Sequence, residues 1–99
     1  MRILTSLLCL SALAFAQDPV EGKKLFETKC SVCHSTDSAE TRIGPPLKGA
    51  KTGTLSSGKY ANHATILKRI DDGGNGMPVF RELLTKDEKE NIISYVLTL

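Results

Sequence analysis

Two cysteines and a histidine in the N-terminal half of the chain constrain its fold more than any other feature. Cys30 and Cys33 are separated by two residues, and His34 follows directly, which gives the pattern C-x-x-C-H. This is the attachment pattern for c-type haem. Two thiols one helical turn apart can add to the two vinyl groups on one edge of a porphyrin, and the imidazole then lies under the iron. The pattern predicts one covalently bound haem c.

The same cysteine spacing also occurs in zinc sites and in redox dithiols. A zinc site needs further ligands at finger-like spacing, and only His63 and Cys9 remain to supply them. A thioredoxin-like dithiol lies at the start of a helix in a βαβ pattern, whereas this motif follows a helical stretch and no segment is rich in strand-forming residues. A disulfide between Cys30 and Cys33 stays open in an oxidising compartment, but it leaves His34 without a role.

The N-terminus has the pattern of a secretory signal peptide. Arg2 supplies a positive charge, a mostly apolar run follows, and Ala14 and Ala16 are the small residues expected before a cleavage site. The run is shorter than the roughly 20 residues that a membrane span needs, so we expect no membrane anchor after cleavage. Residues 1–16 are thus predicted to be a cleaved signal peptide and residues 17–99 the mature domain. The protein would then be periplasmic or otherwise exported.

The charge balance excludes one broad class of partner. The chain has 13 Lys and Arg against 11 Asp and Glu, a formal net charge of +2, whereas nucleic-acid-binding domains normally carry a strong basic surplus. We therefore expect no nucleic-acid partner. A chain of this length makes one domain with a modest core, and a buried macrocycle would add apolar surface that the side chains alone lack.

Capping signals predict three helices and no strands. The first helix is expected to begin at Asp18, with Glu21 completing a reciprocal cap. The second begins near Asn62 and is stopped by a glycine pair. Thr85 and Glu88 form a capping box for the third helix. The polar segments between the helices, rich in Gly, Pro, Ser and Thr, indicate loops, and loops of this length are unusual in a compact domain unless something such as a haem orders them.

Met77 is the strongest candidate for the second axial ligand of the iron. It is the only methionine besides the initiator, and it lies between glycines and Pro78, which restricts the backbone of the residue before it. A thioether opposite a histidine is the ligand pair that raises the potential of c-type haem. A lone methionine otherwise fills core space, and His63, near a predicted helix start, is the competing ligand.

Four segments together resemble the small class I c-type cytochromes of the bacterial mono-haem kind. In chain order they are the first helix with the C-x-x-C-H motif, the Gly-Pro-Pro loop that begins at Gly44, the Gly-Met-Pro segment and the aromatic residue of the last helix. The resemblance implies an all-α cytochrome c fold, with three or four short helices and long loops wrapped around one covalently bound haem. Gly22 and Phe26 would meet Tyr95 where the first and last helices cross.

The resemblance also implies a role for each candidate site residue. Cys30 and Cys33 would carry the thioether bonds to the haem. His34 and Met77 would be the two axial ligands of the iron. The carbonyl group of Pro45 would accept a hydrogen bond from the second ring nitrogen of His34, which orients that ligand and raises its basicity.

These features predict a soluble one-electron carrier and not an enzyme, because both axial positions are filled by protein. We expect redox protein partners such as a dehydrogenase, a cytochrome complex or a terminal oxidase, and lysines near the haem edge would steer acidic partners towards it. Those lysines are Lys23, Lys24, Lys29, Lys48, Lys51 and Lys59. The alternative is a haem enzyme, or a sensor of gas or peroxide, in which Met77 is a labile ligand. The same features fit a free carrier and a subunit of a larger complex.

Overall fold

The structure is a computed structural model that describes residues 17–55 and 58–99. The predicted signal peptide, residues 1–16, lies outside the described residues. Within the described part, none of the helices has both the length and the apolar character that a bilayer crossing requires.

The described residues form helices and irregular segments only. The helices are α1 (Pro19–Lys29), a short 3-10 helix (Ala50–Thr52), α2 (His63–Asp72) and α3 (Lys86–Val96). In these two stretches of chain, β-structure is limited to two isolated bridges. The prediction of three or four short helices joined by long loops is therefore confirmed.

The start of α1 differs from its prediction in one respect. The carboxylate of Asp18 caps the helix as expected, since it accepts hydrogen bonds from the backbone N–H groups of Val20 and Glu21 at 2.9 and 3.4 Å. The predicted reciprocal cap from Glu21 is wrong. The backbone N–H of Asp18 donates instead to Oδ1 of Asn91 in α3 at 2.9 Å, and Glu21 pairs with Lys24 at 3.2 Å. A partner 73 residues away along the chain has replaced the local one because α3 crosses at this point.

α2 begins after Asn62, as predicted, and the capping box predicted for α3 is confirmed. Asn62 and Thr65 form a reciprocal capping box at the start of α2, and Thr85 and Glu88 form one at the start of α3. α2 ends at Gly73, whose φ of 64° lies in the left-handed region that favours glycine. Local side-chain chemistry is thus sufficient to set the bounds of these two helices.

Gly22 lets the backbones of α1 and α3 approach closely where the two helices cross. A Cβ atom on Gly22 would lie 1.8 Å from the carbonyl oxygen of Asn91 and 3.0 Å from Cβ of Tyr95. The ring of Tyr95 then packs edge-on against Phe26, with 5.4 Å between ring centroids and 63° between ring planes. The predicted meeting of Gly22, Phe26 and Tyr95 is confirmed.

The segment 35–59, predicted as a loop, contains a helical turn within its described residues. The 3-10 helix follows Gly49, which has a φ of 82° and whose N–H donates to the carbonyl oxygen of Leu99 at 2.8 Å. Ala50, the first residue of this turn, is buried. A contact with the C-terminal residue holds the turn, so no local signal in the sequence indicates it.

The core lies between the helices and one large cavity. Its buried hydrophobic residues are Phe26, Ala50, Ile66, Ile70, Leu84, Ile92, Ile93 and Val96. Six of these eight, all but Leu84 and Ile93, also line the cavity. The core therefore has two surfaces, one packed by helices and one that faces the candidate site.

Candidate haem-binding site

One cavity of about 320 Å³ has all five predicted site residues in its wall. Cys30, Cys33 and His34 come from the end of α1, Pro45 comes from the loop that follows, and Met77 comes from the loop after α2. Pockets of roughly 300–1,000 Å³ are typical of small-molecule and cofactor sites. Folding has therefore brought three separate segments of chain to one site of suitable size.

The C-x-x-C-H motif forms a tight turn directly after α1. The N–H of Cys30 still donates to the carbonyl oxygen of Phe26 at 2.8 Å, as in the helix. The carbonyl oxygen of Cys30 then accepts from the N–H groups of Cys33 and His34, both at 3.0 Å. Because the chain closes on Cys30 in this way, both thiols and the imidazole stay together at the end of the helix.

Backbone carbonyl groups of this turn accept two hydrogen bonds from the next loop. Nη1 of Arg42 donates to the carbonyl oxygen of Ser31 at 3.0 Å, and the N–H of Gly44 donates to the carbonyl oxygen of Cys33 at 2.7 Å. A Cβ atom on Gly44 would lie 2.7 Å from Cε1 of His34. Sequence analysis did not single out Arg42, because an arginine in a polar loop carries no signal for a bond to a backbone carbonyl.

The ring of His34 is oriented by a backbone carbonyl. Nδ1 of His34 lies 2.7 Å from the carbonyl oxygen of Pro45. A carbonyl oxygen can only accept, so Nδ1 carries the hydrogen and Nε2 keeps its lone pair. A hydrogen bond of this kind fixes the tautomer of a ligating histidine and raises the basicity of the other nitrogen.

No disulfide joins Cys30 and Cys33 in the structure. Burial, together with the neighbouring Cys33, raises the pKa of the Cys30 thiol to about 11, against an opposing influence from Lys29. Reactive cysteines in redox dithiols have a lowered pKa, because the thiolate is the nucleophile. The raised pKa of Cys30 is thus the opposite of what a redox dithiol needs.

Met77 closes a tight turn that begins at Gly74. The N–H of each of these two residues donates to the carbonyl oxygen of the other at 3.0 Å. The backbone φ angle is positive at four consecutive residues, Gly73, Gly74, Asn75 and Gly76. The glycines on which the sequence analysis relied are therefore required by the shape of this turn, which presents Met77 to the cavity.

The residues lining the cavity also sort the remaining candidates. His63, the competing ligand, is not part of the wall formed by the described residues, and its Nε2 lies 2.8 and 2.9 Å from the two carboxylate oxygens of Glu90 in α3. Two of the six lysines expected near the haem edge, Lys29 and Lys48, line the cavity. Arg69 lines it as well, and sequence analysis missed it because the residue lies on a helix with no motif around it.

The chemistry of the wall fits a haem. Its donor set of two thiols, an imidazole and a thioether matches two vinyl groups and two axial positions on one iron. The rest of the wall is largely apolar, and two large apolar residues in it, Val32 and Ile43, are 72% and 79% exposed. A flat apolar macrocycle would shield such side chains from water.

Comparisons with known proteins point to one class. The family model described as "Cytochrome C oxidase, cbb3-type, subunit III" matches residues 17–96. A cytochrome c6 from Gracilaria tenuistipitata var. liui is 33% identical over 86% of this chain and 76% of its own length. One from Nostoc sp. is 32% identical over 88% of this chain and 76% of its own length. The solved cytochrome c6 of the diatom Phaeodactylum tricornutum superposes with a TM-score of 0.65 at 30% identity, over 82% of this chain and 92% of the other.

Fold, site chemistry and these similarities define a mono-haem electron-transfer protein. The chain belongs to the small class I c-type cytochromes. The predictions of an all-α cytochrome c fold and of one covalently attached haem c are confirmed, and the protein functions in electron transfer.

Proposed function

We propose that this chain is an exported one-electron carrier in which Cys30 and Cys33 bind the haem covalently and His34 and Met77 are the axial ligands of its iron. The observation that carries the proposal is the convergence of these four side chains on one largely apolar cavity. When bound, the haem supplies the one-electron change between its oxidised and reduced states. The residues of the chain hold the haem, fix the ligands and exclude water.

Each ligand is positioned by hydrogen bonds that involve the backbone. The hydrogen bond from Nδ1 of His34 to Pro45 keeps Nε2 as the ligating nitrogen. The Gly74–Met77 turn restricts the position of a side chain that is otherwise flexible. The thioether of Met77 is soft and neutral, and opposite a histidine it raises the haem potential.

The same ligand set favours a carrier over an enzyme or a sensor. With both axial positions filled by the chain itself, no position on the iron is left for a substrate, peroxide or a diatomic gas. His63 was the only further histidine that could act as a distal acid or base, and it contacts Glu90. No observation on the described residues favours the alternative of a labile distal ligand.

We propose that residues 1–16 are a cleaved signal peptide and that the mature domain begins at residue 17. The match to the family model also begins at residue 17, which supports this boundary. Export fits the chemistry, because haem is attached to C-x-x-C-H motifs outside the cytoplasm. We therefore propose a periplasmic or otherwise exported carrier with no membrane anchor after cleavage.

For partners, we propose redox proteins that dock at the face around the cavity. Lys29 and Lys48 line the cavity beside the exposed apolar residues Val32 and Ile43. An apolar centre with basic residues near it suits brief docking to an acidic surface, and salt would weaken such steering. A dehydrogenase, a cytochrome complex or a terminal oxidase would each provide such a partner; a nucleic acid would not.

The optical spectrum of the exported protein tests the proposed ligands. We expect a weak long-wavelength sulfur-to-iron band in the oxidised protein, which Met77→Ala removes and the control His63→Ala leaves intact. A pyridine spectrum of the denatured protein checks that both vinyl groups are saturated. A band that is absent from the wild type, or lost in His63→Ala, would contradict Met77 ligation, and rapid binding of carbon monoxide or peroxide by the wild type would support the enzyme or sensor alternative.

A further inference from the structure

The side chain of Arg69 donates a hydrogen bond to the backbone of the turn that follows α2. It lies in the last turn of α2, half-buried in the cavity wall, and its Nη1 donates to the carbonyl oxygen of Gly73 at 3.1 Å. No carboxylate of the described residues forms an ion pair with it. Its neighbour Lys68, in contrast, forms an ordinary exposed ion pair with Asp72 at 3.0 Å. The guanidinium of Arg69 therefore bonds to a backbone carbonyl and not to a carboxylate.

Gly73 is fixed by Arg69 on both sides of its own backbone. Its N–H donates to the main-chain carbonyl oxygen of Arg69 at 2.8 Å, and its carbonyl oxygen accepts from the side chain of the same residue. A hydrogen bond with an ionised donor is about twice as strong as a neutral one. The guanidinium also packs against the next residue, because a Cβ atom on Gly74 would lie 2.9 Å from Nη1 of Arg69.

The backbone of Met77 lies directly against Gly73. A Cβ atom on Gly73 would lie 2.5 Å from the carbonyl oxygen of Met77 and 2.7 Å from that of Pro78. Gly74, the next residue, exchanges both backbone hydrogen bonds with Met77. A shift of Gly73 away from α2 would therefore carry Met77 with it.

We propose that Arg69 is a positioning residue for Met77. Its guanidinium holds the Gly73–Met77 turn closed against α2 and so keeps the thioether of Met77 in place at the iron. This inference rests on the proposed ligation by Met77. The contacts that carry this role are those of Arg69 with the backbone of Gly73 and with Gly74.

The rate at which imidazole binds to the oxidised haem-loaded protein tests this role. Free imidazole can take the axial position only when the turn opens and Met77 leaves, so the rate, followed by loss of the sulfur-to-iron band, reports on opening. Arg69→Met removes the donors at similar length, Arg69→Lys keeps one charged donor, and Lys68→Met removes the same charge from the adjacent exposed position. We expect binding about tenfold faster in Arg69→Met, an intermediate rate in Arg69→Lys and the wild-type rate in Lys68→Met.

Two results separate failure of the inference from failure of the proposed function. A wild type without the sulfur-to-iron band contradicts Met77 ligation itself. A wild type with the band, in which Arg69→Met and Lys68→Met bind imidazole equally fast, leaves the ligation intact and overturns the role of Arg69. The unfolding midpoint is measured on the same samples, and a rate that merely follows the midpoint in all three variants also overturns the positioning role.

Discussion

The α1–α3 crossing and the loops around the cavity are held together in different ways. At the crossing, the backbones of Gly22 and Asn91 touch and the rings of Phe26 and Tyr95 pack against each other. Around the cavity, the motif turn and the methionine turn are each fixed by a few hydrogen bonds and face the haem site. The polypeptide alone is sufficient to specify the crossing, whereas the loops need the haem to complete their packing.

The exposed apolar part of the cavity wall shows how strongly the loops depend on the haem. Val32 and Ile43 in this wall are largely exposed, and burying one such side chain contributes about 1.5–3 kcal/mol. The whole stability of a small domain is only about 5–15 kcal/mol. Failure to bind haem should therefore remove a large part of the net stability of the fold.

Preventing haem attachment is the prediction with the largest expected effect. We expect the double variant Cys30→Ser/Cys33→Ser, produced without haem, to lose most of its tertiary structure, because the apolar cavity wall would face water. Far-ultraviolet circular dichroism and amide hydrogen exchange measure this, with any residual protection expected in α1 and α3. Ser31→Ala, which leaves both thiols in place, is the control and should stay folded. If the amides of the loop around Pro45 stayed as protected from exchange in the haem-free chain as in the native protein, the loops would not need the haem.

Gly22→Ala tests the crossing, where the next largest effect is expected. The added methyl group would overlap the carbonyl oxygen of Asn91, at 1.8 Å, so the two helices must move apart and loosen the contact between Phe26 and Tyr95. We expect the free energy of unfolding of the haem-loaded protein to fall by about 3 kcal/mol, measured by denaturant titration. Lys23→Ala, at the exposed next position of α1, should change it by no more than about 0.5 kcal/mol. Equal values for the two variants would mean that the crossing is not packed as described.

The helix bounds could be predicted from the sequence because their signals are local. Thr85 and Glu88 have the spacing and residue types of a capping box, and Asn62 is a residue type favoured at the start of a helix. The reciprocal cap predicted for Glu21 failed for the complementary reason. Its place is taken by Asn91, and only the tertiary crossing brings that side chain within reach of Asp18.

The residues of the candidate site also divide into those with a local signal in the sequence and those without one. Cys30, Cys33 and His34 lie within five consecutive residues, and the glycines around Met77 mark a turn, so these residues could be proposed without a structure. The roles of Arg42 and Arg69 could not, because each donates to a backbone carbonyl. Carbonyl groups are the same at every residue, so a bond to one of them leaves no pattern in the side chains.

Gly44→Ala is expected to have the smallest effect on stability of these variants. It tests whether the loops around the cavity are held more loosely than the helix crossing. A Cβ atom here would lie 2.7 Å from Cε1 and 3.0 Å from Nδ1 of His34. The ring must shift, which lengthens its hydrogen bond to Pro45. We expect the free energy of unfolding to fall by only about 1 kcal/mol, because a loop bounded by few contacts can move. The weaker hydrogen bond makes His34 a poorer donor to the iron, so the reduction potential should rise.

Gly53→Ala is the matched control for this loop variant. Gly53 also lines the cavity, and a Cβ atom there would lie 3.1 Å from the carbonyl oxygen of Gly49, with no atom of His34 among its close contacts. We expect a similar small loss of stability and an unchanged reduction potential, measured by redox titration of both variants. If the two variants shift the potential equally, the carbonyl of Pro45 does not tune His34. If Gly44→Ala instead destabilises the protein as much as Gly22→Ala, the loops are as rigid as the helix crossing and the comparison fails.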